Sequence, residues 1–436
     1  MKFLLKGFIF RIIFVASGFL VSLLIAKLAG ADRFGIISLM IVNAGFIQIV
    51  SGLGTDAAIV WHGISGKPGD SNKIFSFTIY ATLLQLLLFG IAAFLFFKYN
   101  GTTILSREKG INIFYAELLY FSGLIVTEKY AALFYSQQMA ALCNKILALI
   151  SSGLVFTLFV VLFNAPSLVV DNPVWVISIF VFIPAMVLLF FYHGKFSPVL
   201  IKISRDTVNS FVSFSLIVLV TNLIQFIAFR VDFWFIDYFH GKGDVGIYAQ
   251  ASKFSQMLWI IPGVFAGLII PALKNAKDKL SVAELVSICR LLFFAHIFFA
   301  VLVVAGAFLL YQFFLPEEFF NGFSALLLMM PGYIFFIITI VLAAFFSANR
   351  LLKINLLGSS LCCVLMIILD VLLIPRFSYT GAAIANLVAY TVTTIFFVAA
   401  FRKQTGLLMQ DHFKLRKYDL KILLMKFSER ENGKID

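Results

Sequence analysis

FIFRIIFVASGFLVSLLIAKLAGADRFGI, residues 8–36, reads as a membrane-crossing helix that ends in a glycine-bounded turn. From Phe8 to Ala29 the only charges are Arg11 and Lys27, and roughly 20 apolar residues in a helix cross the hydrocarbon core of a bilayer. Gly30 to Gly35 then reverses the chain into a second apolar run. Moving outward from this stretch, the pattern repeats over nearly the whole sequence. Expected spans are 8–29, 35–61, 74–98, 112–136, 142–164 and 174–193, followed by 210–237, 245–272, 285–314, 323–347, 353–374 and 379–401. A water-soluble domain cannot hide 62% hydrophobic residues over 436 positions. The fold class is therefore all-α and polytopic, with about twelve transmembrane helices.

Lys2, Lys6, an apolar run and Ala29-Gly30-Ala31 imitate a signal peptide. The run is too long for that, and Arg11 interrupts it. Orientation follows from Lys and Arg in the flanks. With the amino terminus cytoplasmic, the inner segments hold Lys2, Lys6, Lys67, Lys73, Lys145, Lys195, Lys202, Arg205, Lys274, Lys277, Lys279, Arg290, Arg350 and Lys353. The outer segments hold Arg33, Lys98, Arg107, Lys109, Lys242 and Arg376. Both termini are thus expected inside, in a bacterial or archaeal plasma membrane. The net charge of +13 sits largely beside span ends, which points to anionic inner-leaflet lipid and away from nucleic acid. The basic tail, residues 402–436, with Lys414, Arg416, Lys417 and Lys421, reads as a membrane-surface segment. Cys143, Cys289, Cys362 and Cys363 lie in or beside spans and have neither disulfide nor metal spacing.

The chain carries a weak internal repeat. Gly30-Ala-Asp-Arg-Phe-Gly35-Ile36 opens the second span, and Gly241-Lys-Gly-Asp-Val-Gly246-Ile247 opens the eighth, at an offset of 211 residues. Glycine in each lets a tight turn reverse the chain without a Cβ clash. The repeat predicts a six-helix bundle at 1–194, a cytoplasmic linker at 195–209, a second six-helix bundle at 210–401 and the tail. Six is even, so the bundles are parallel repeats about an axis along the membrane normal, with a cavity between them suited to alternating access.

Three stretches resemble a known family. They are Gly18-Phe19-Leu20 through Leu24-Ile25-Ala26-Lys27-Leu28, Phe34-Gly35 and Gly52-Leu53-Gly54; Arg230-Val231-Asp232 with Gly246-Ile247-Tyr248-Ala249 and Lys253; and Pro375, Tyr379 and Gly381-Ala382-Ala383-Ile384-Ala385. With the span count, they resemble the polysaccharide (O-antigen, Wzx-type) flippases of the multidrug, oligosaccharidyl-lipid and polysaccharide (MOP) exporter superfamily. The resemblance implies a V-shaped MATE-like fold and a cationic cavity holding a lipid-linked diphosphate. It carries over to Arg11, Arg230 and Lys253, and less directly to Lys27 and Lys129. It also implies a glycan polymerase or glycosyltransferases as partners.

An ionised side chain inside a span costs roughly 2.5–3.5 kcal/mol on insertion scales, so each needs a partner, water or a function. Arg11 and Asp56 read either as an ion pair or, for Arg11, as part of a cationic wall. Glu117 and Glu128, 11 residues apart, share a stripe of the fourth span. They read as a proton relay or cation site, or as counter-charges to Arg11 or Lys129. Asp232 joins Asp56, Glu117 and Glu128 as a candidate for ion coupling, with H⁺ or Na⁺ as the ion and no other cofactor. Arg230 and Lys253 offer phosphate a bidentate fork and a point charge. His296, the lone intramembrane histidine, reads as hydrogen-bonded packing. Pro262, Pro271 and Pro331, with Gly263, Gly267 and Gly332, mark expected kinks.

These features predict a non-enzymatic flippase for a polyprenyl-diphosphate-linked oligosaccharide, moved from the inner to the outer leaflet and driven by an ion gradient. The alternative is a multidrug or small-cation exporter of the same superfamily. A membrane polymerase or glycosyltransferase fits less well, because the longest outer break, Lys98 to Ile111, is short and lacks a catalytic constellation. The sequence also lacks a Walker A loop, zinc spacing and a nucleophile elbow.

Overall fold

A computed structural model describes residues 2–65, 71–263, 265–266 and 281–406, and these are built from helices and short connections with no strand. The helices are α1 (Lys2–Gly52), α2 (Thr55–Ser65), α3 (Ser71–Asn100), α4 (Ile111–Ser136), α5 (Ala140–Asn164), α6 (Pro166–Asp171), α7 (Pro173–Phe196), α8 (Arg205–His240), α9 (Lys242–Gln256), α10 (Val282–Phe313), α11 (Gly322–Ala348) and α12 (Leu352–Thr405). Among the described residues, eight helices are long and apolar enough to cross a membrane. Two of them contain a break, α1 at Gly30 and α12 at Ser378, and so supply two spans each. The charged helix α4 and helix α9 take the places of the fourth and eighth expected spans. Lys67, Lys274, Lys277, Lys279, Gly267, Pro271 and the tail beyond Gly406 lie outside the described residues.

The second expected span, 35–61, is divided. Leu53 and Gly54 take φ values of 51° and 70°, which end α1 and start α2 in a new direction. A Cβ on Gly54 would lie 2.6 Å from the carbonyl oxygen of Ser215, so α8 approaches this break too closely for a side chain. Pro262 follows a 3₁₀ turn at Met257–Trp259 and has no N–H to give the carbonyl one turn back. Pro331, expected to kink its span, lies within the continuous helix α11. The break at Ser378 follows Pro375 by one turn.

Contacts divide the chain into two compact units, Met1–Trp234 with Gly241–Gly246, and Phe235–His240 with Ile247–Asp436. By packing, α8 as far as Trp234 goes with the first unit. Trp234 Nε1 donates to Asn43 Oδ1 at 2.7 Å, and Phe46 stacks edge-on to Trp234. The repeat in the sequence instead places residues 210–237 at the head of the second six helices. A repeat and a packing boundary follow different rules, since a helix packs wherever its surface finds a complement.

In the first unit, Ile74, Phe75 and Phe77 of α3 meet Val126, Tyr130, Leu133 and Phe134 of α4, with Ile146 of α5 and Leu188 and Tyr192 of α7. The second unit has its own core, where α10, α11 and α12 bring together Leu285, Cys289, Ile337, Val341, Phe346 and Phe397. Leu83, Leu84, Leu87, Leu88 and Ile91 of α3 point outward, an apolar surface that lipid covers without cost.

Candidate functional site

The break at Leu53–Gly54 creates the main polar cluster of the first unit. It exposes the last turn of one helix and the first turn of the next, and polar side chains collect there. Thr55 and Asp56 begin α2, and Thr55 Oγ1 donates to the Gly52 carbonyl at 2.7 Å. Lys129 enters from α4 with a side chain only 1% exposed. Its Nζ donates to Asp56 at 2.7 Å and to Thr55 Oγ1 at 2.5 Å. The adjacent Glu128 accepts from Gln48 Nε2 of α1. Gln85 of α3 completes the set, with Nε2 donating to Ser51 Oγ at 2.9 Å and to the Gln48 carbonyl at 3.3 Å. Four helices are thereby cross-linked around two carboxyls and one ammonium.

This arrangement resolves the pairing that the sequence left open. Asp56 is bonded to Lys129, on a different helix from Arg11. Arg11 is exposed on α1, with its guanidinium 5.5 Å from the ring centroid of Phe14. The ammonium of Lys129 is directed at Asp56 and Thr55 and does not reach the surface.

Glu117 and Glu128 share a helix but not a site. Eleven residues of helix separate them by about 16 Å, too far for direct relay. Glu117 is 2% exposed and clamps the 101–110 loop. It accepts from Thr103 Oγ1 at 2.7 Å, Leu105 N at 3.0 Å, Ser106 N at 2.8 Å and Ser106 Oγ at 2.6 Å. Asn43 Nδ2 fixes the same loop through the Leu105 carbonyl at 2.6 Å, and Lys242 pairs with Glu108. Losing a charged acceptor of several bonds costs about 1.5–3 kcal/mol per bond. Glu117→Ala should therefore raise hydrogen exchange at Leu105 and Ser106 by about tenfold or more; unchanged protection would show that the clamp holds nothing.

Asp232 of α8 is buried, and the Phe233 amide donates to it at 2.9 Å. Arg230, half-buried, lies over the Phe233 ring with its guanidinium carbon 5.5 Å from the centroid. Lys27 is exposed on α1. In the second unit, Lys253 is half-buried on α9. His296 Nδ1 bonds to the Leu292 carbonyl at 2.6 Å, a local role within α10. Among the described residues no group of three or more His, Cys, Asp or Glu is placed to hold a metal ion.

Gln48, Ser51, Thr55 and Gln85 went unread in the sequence because neutral polar residues in spans are common. The available signal was their spacing, since Gln48, Ser51 and Thr55 recur at helical intervals leading directly to Asp56.

A family model described as "Polysaccharide biosynthesis protein" matches residues 24–281, which include the whole polar cluster. No curated protein matches the chain. Among solved structures, the chain is similar to the lipid II flippase MurJ in an inward closed conformation, with 15% identity and a TM-score of 0.71, covering 100% of this chain and 93% of that one. An inward-facing multidrug resistance MATE family transporter of the MOP superfamily matches at 14% identity and a TM-score of 0.65, over 89% of this chain and 95% of that one. A MOP superfamily transporter from Pyrococcus furiosus Vc1 (DSM3638), described by a reverse polarity of its binding pocket, matches at 12% identity and a TM-score of 0.54, over 92% and 95%. At these identities the likeness is one of fold, and the fold is that of the MOP transporters.

Proposed function

Because the chain belongs to the family of polysaccharide biosynthesis proteins, we propose that it is a flippase for a polyprenyl-diphosphate-linked oligosaccharide, the repeat unit of an O-antigen, capsule or exopolysaccharide. The family match over residues 24–281, on a fold shared with a lipid II flippase, carries this reading. Flipping needs no covalent chemistry. It needs a polar path for the headgroup and cations for the diphosphate, while the prenyl tail stays in lipid. Arg11, Lys27, Arg230 and Lys253 supply cations on spans. Each guanidinium can give phosphate two parallel N–H bonds, which a point charge cannot. The headgroup crosses by alternating access from the cytoplasmic to the outer leaflet of a plasma membrane, with both chain termini cytoplasmic. A glycan polymerase or glycosyltransferases would act before and after it.

The test is leaflet exchange of a fluorescent polyprenyl-diphosphate oligosaccharide in proteoliposomes. Arg11→Ala, Arg230→Ala and Lys253→Ala should each slow exchange by about tenfold or more, the effect of losing roughly one charge-assisted bond. Size exclusion should show intact protein in each case. Wild-type exchange in all three would remove the cationic site from the mechanism. The fold is also that of a multidrug transporter, which favours drug or small-cation export as a second reading. Movement of an organic cation, with none of the lipid-linked glycan, would establish that reading instead.

A further inference from the structure

One end of the first unit gathers the turn Gly30–Gly35, the α3–α4 connection, helix α6 and the turn Gly241–Gly246. Arg33 donates to the Val170 carbonyl of α6, and Lys242 pairs with Glu108 of the connection. In the orientation proposed above this is the outer end, where cations are ordinarily scarce. The α3–α4 connection and its flanks nevertheless carry Lys98, Arg107 and Lys109, all exposed. Among the described residues, none of these three side chains has a hydrogen bond or an ion pair. The acid between them, Glu108, is neutralised by Lys242. Asp32, Asp171 and Asp244 sit on the neighbouring turn, α6 and α9.

The connection is rigidly built. Glu117 holds it from below through Thr103, Leu105 and Ser106, and Asn43 holds the Leu105 carbonyl. Thr103 N donates to the Glu108 carbonyl at 2.8 Å, and Arg107 N donates to the Thr103 carbonyl at 3.1 Å. Closing that small ring puts Arg107 at a φ of 59°, a left-handed backbone that glycine adopts at less cost. The guanidinium takes no part in the loop's own bonds, so the strained position serves a contact outside the loop.

What lies outside is lipid. Tyr99 is 78% exposed and Tyr115 54% exposed, an aromatic pair of the kind that marks headgroup level. Phe97 and Phe114 pack with ring centroids 5.0 Å apart, so the end of α3 and the start of α4 stand at one height. Lys98 follows Phe94 by one helical turn and Ile91 by two, so it continues the outward apolar stripe of α3. The stripe from Leu84 to Phe94 covers about 15 Å, half of a hydrocarbon core of roughly 30 Å. One surface thus offers cations at headgroup level above an apolar strip as long as one leaflet.

Charge complementarity selects the lipid. A phospholipid presents an ionised oxygen on a single phosphate, which one cation satisfies. A diphosphate diester presents one on each phosphate, and a guanidinium fork flanked by ammonium groups matches both. We propose that Lys98, Arg107 and Lys109 form an outer receiving site, on which the polyprenyl diphosphate rests after crossing, with its tail along α3. The site lies at the membrane surface, apart from the cations on the spans. The identity of its ligand rests on the flippase reading above.

Photo-cross-linking tests the site without any leaflet exchange. The full chain, with p-benzoylphenylalanine in place of Tyr99, is held in phosphatidylcholine nanodiscs containing a polyprenyl-diphosphate oligosaccharide in both leaflets. Illumination should attach that lipid to the protein. Arg107→Gly should cut the capture about tenfold or more, the loss of roughly one charge-assisted bond, and the double variant Lys98→Gln, Lys109→Gln should cut it as far. Arg107→Gly should also melt at or above wild type, because glycine relieves the left-handed backbone. A lower midpoint would make the arginine a structural part of the loop and overturn the site. Capture unchanged by either variant overturns it too, as does equal displacement by phosphatidylglycerol, the mark of a general anionic-lipid surface. If capture needs the cations but wild type exchanges no glycan between leaflets, the site stands and the flippase reading falls. If exchange proceeds while capture ignores the cations, the flippase reading stands and the site falls.

Discussion

Gly35→Ala will lower the thermal midpoint of the purified protein by about 2–12 °C. A Cβ at Gly35 would lie 1.8 Å from the carbonyl oxygen of Lys242 and 2.7 Å from its carbon. Both are backbone atoms, so no side chain can swing aside. The contact is reciprocal within the first unit, since a Cβ on Gly246 would lie 2.1 Å from the carbonyl oxygen of Ala31. Without a strong hydrophobic drive in lipid, helices hold together by close packing, and small residues let backbones approach. Overpacking at such a contact costs about 1–3 kcal/mol or more, and about 2–4 °C of midpoint accompanies each kcal/mol at this size of domain. Gly18 is the control, because nothing lies within 4 Å of its added Cβ. Thermal scans in detergent should place Gly18→Ala at or above wild type. Equal midpoints for the two variants would show that the close approach is not needed.

Lys129→Met will cost about 3–5 kcal/mol of stability, the range for breaking a buried ion pair from one side. The loss leaves Asp56 without its ammonium donor and Thr55 Oγ1 without its charged partner. The double variant Lys129→Met, Asp56→Asn should recover most of that loss, because no charge is stranded at position 56. Denaturation midpoints for the two single variants and the double variant give the coupling energy directly. A coupling near zero would mean that the two side chains only happen to be neighbours.

The expected spans were legible, the second in two pieces and the eighth as far as the described residues reach, because a helix in lipid must satisfy its own backbone and cover itself with apolar side chains. Each span therefore announces itself locally, to within a few residues. The glycine pair Gly30–Gly35 and its echo Gly241–Gly246 were legible as turns, and Gly30 and Gly241 do take φ values of 75° and 88°. Their second glycines proved to serve a different purpose, the mutual approach of two backbones, which no local pattern can state. The short helix α6 and the division of the second span at Leu53 were also unread. Leu53 is an ordinary apolar residue whose positive φ arises only in this packing.

From the one-dimensional chain came the fold class and the identity of every charge that had to be accommodated in the membrane, since both depend on composition and local periodicity. Three-dimensional packing alone decided the partners. Asp56 and Lys129 are 73 positions apart, and Lys129 had several acids in neighbouring spans to choose from. The choice fell to whichever carboxyl the break at Leu53–Gly54 aimed at α4, and a direction in space is fixed by helices meeting one another.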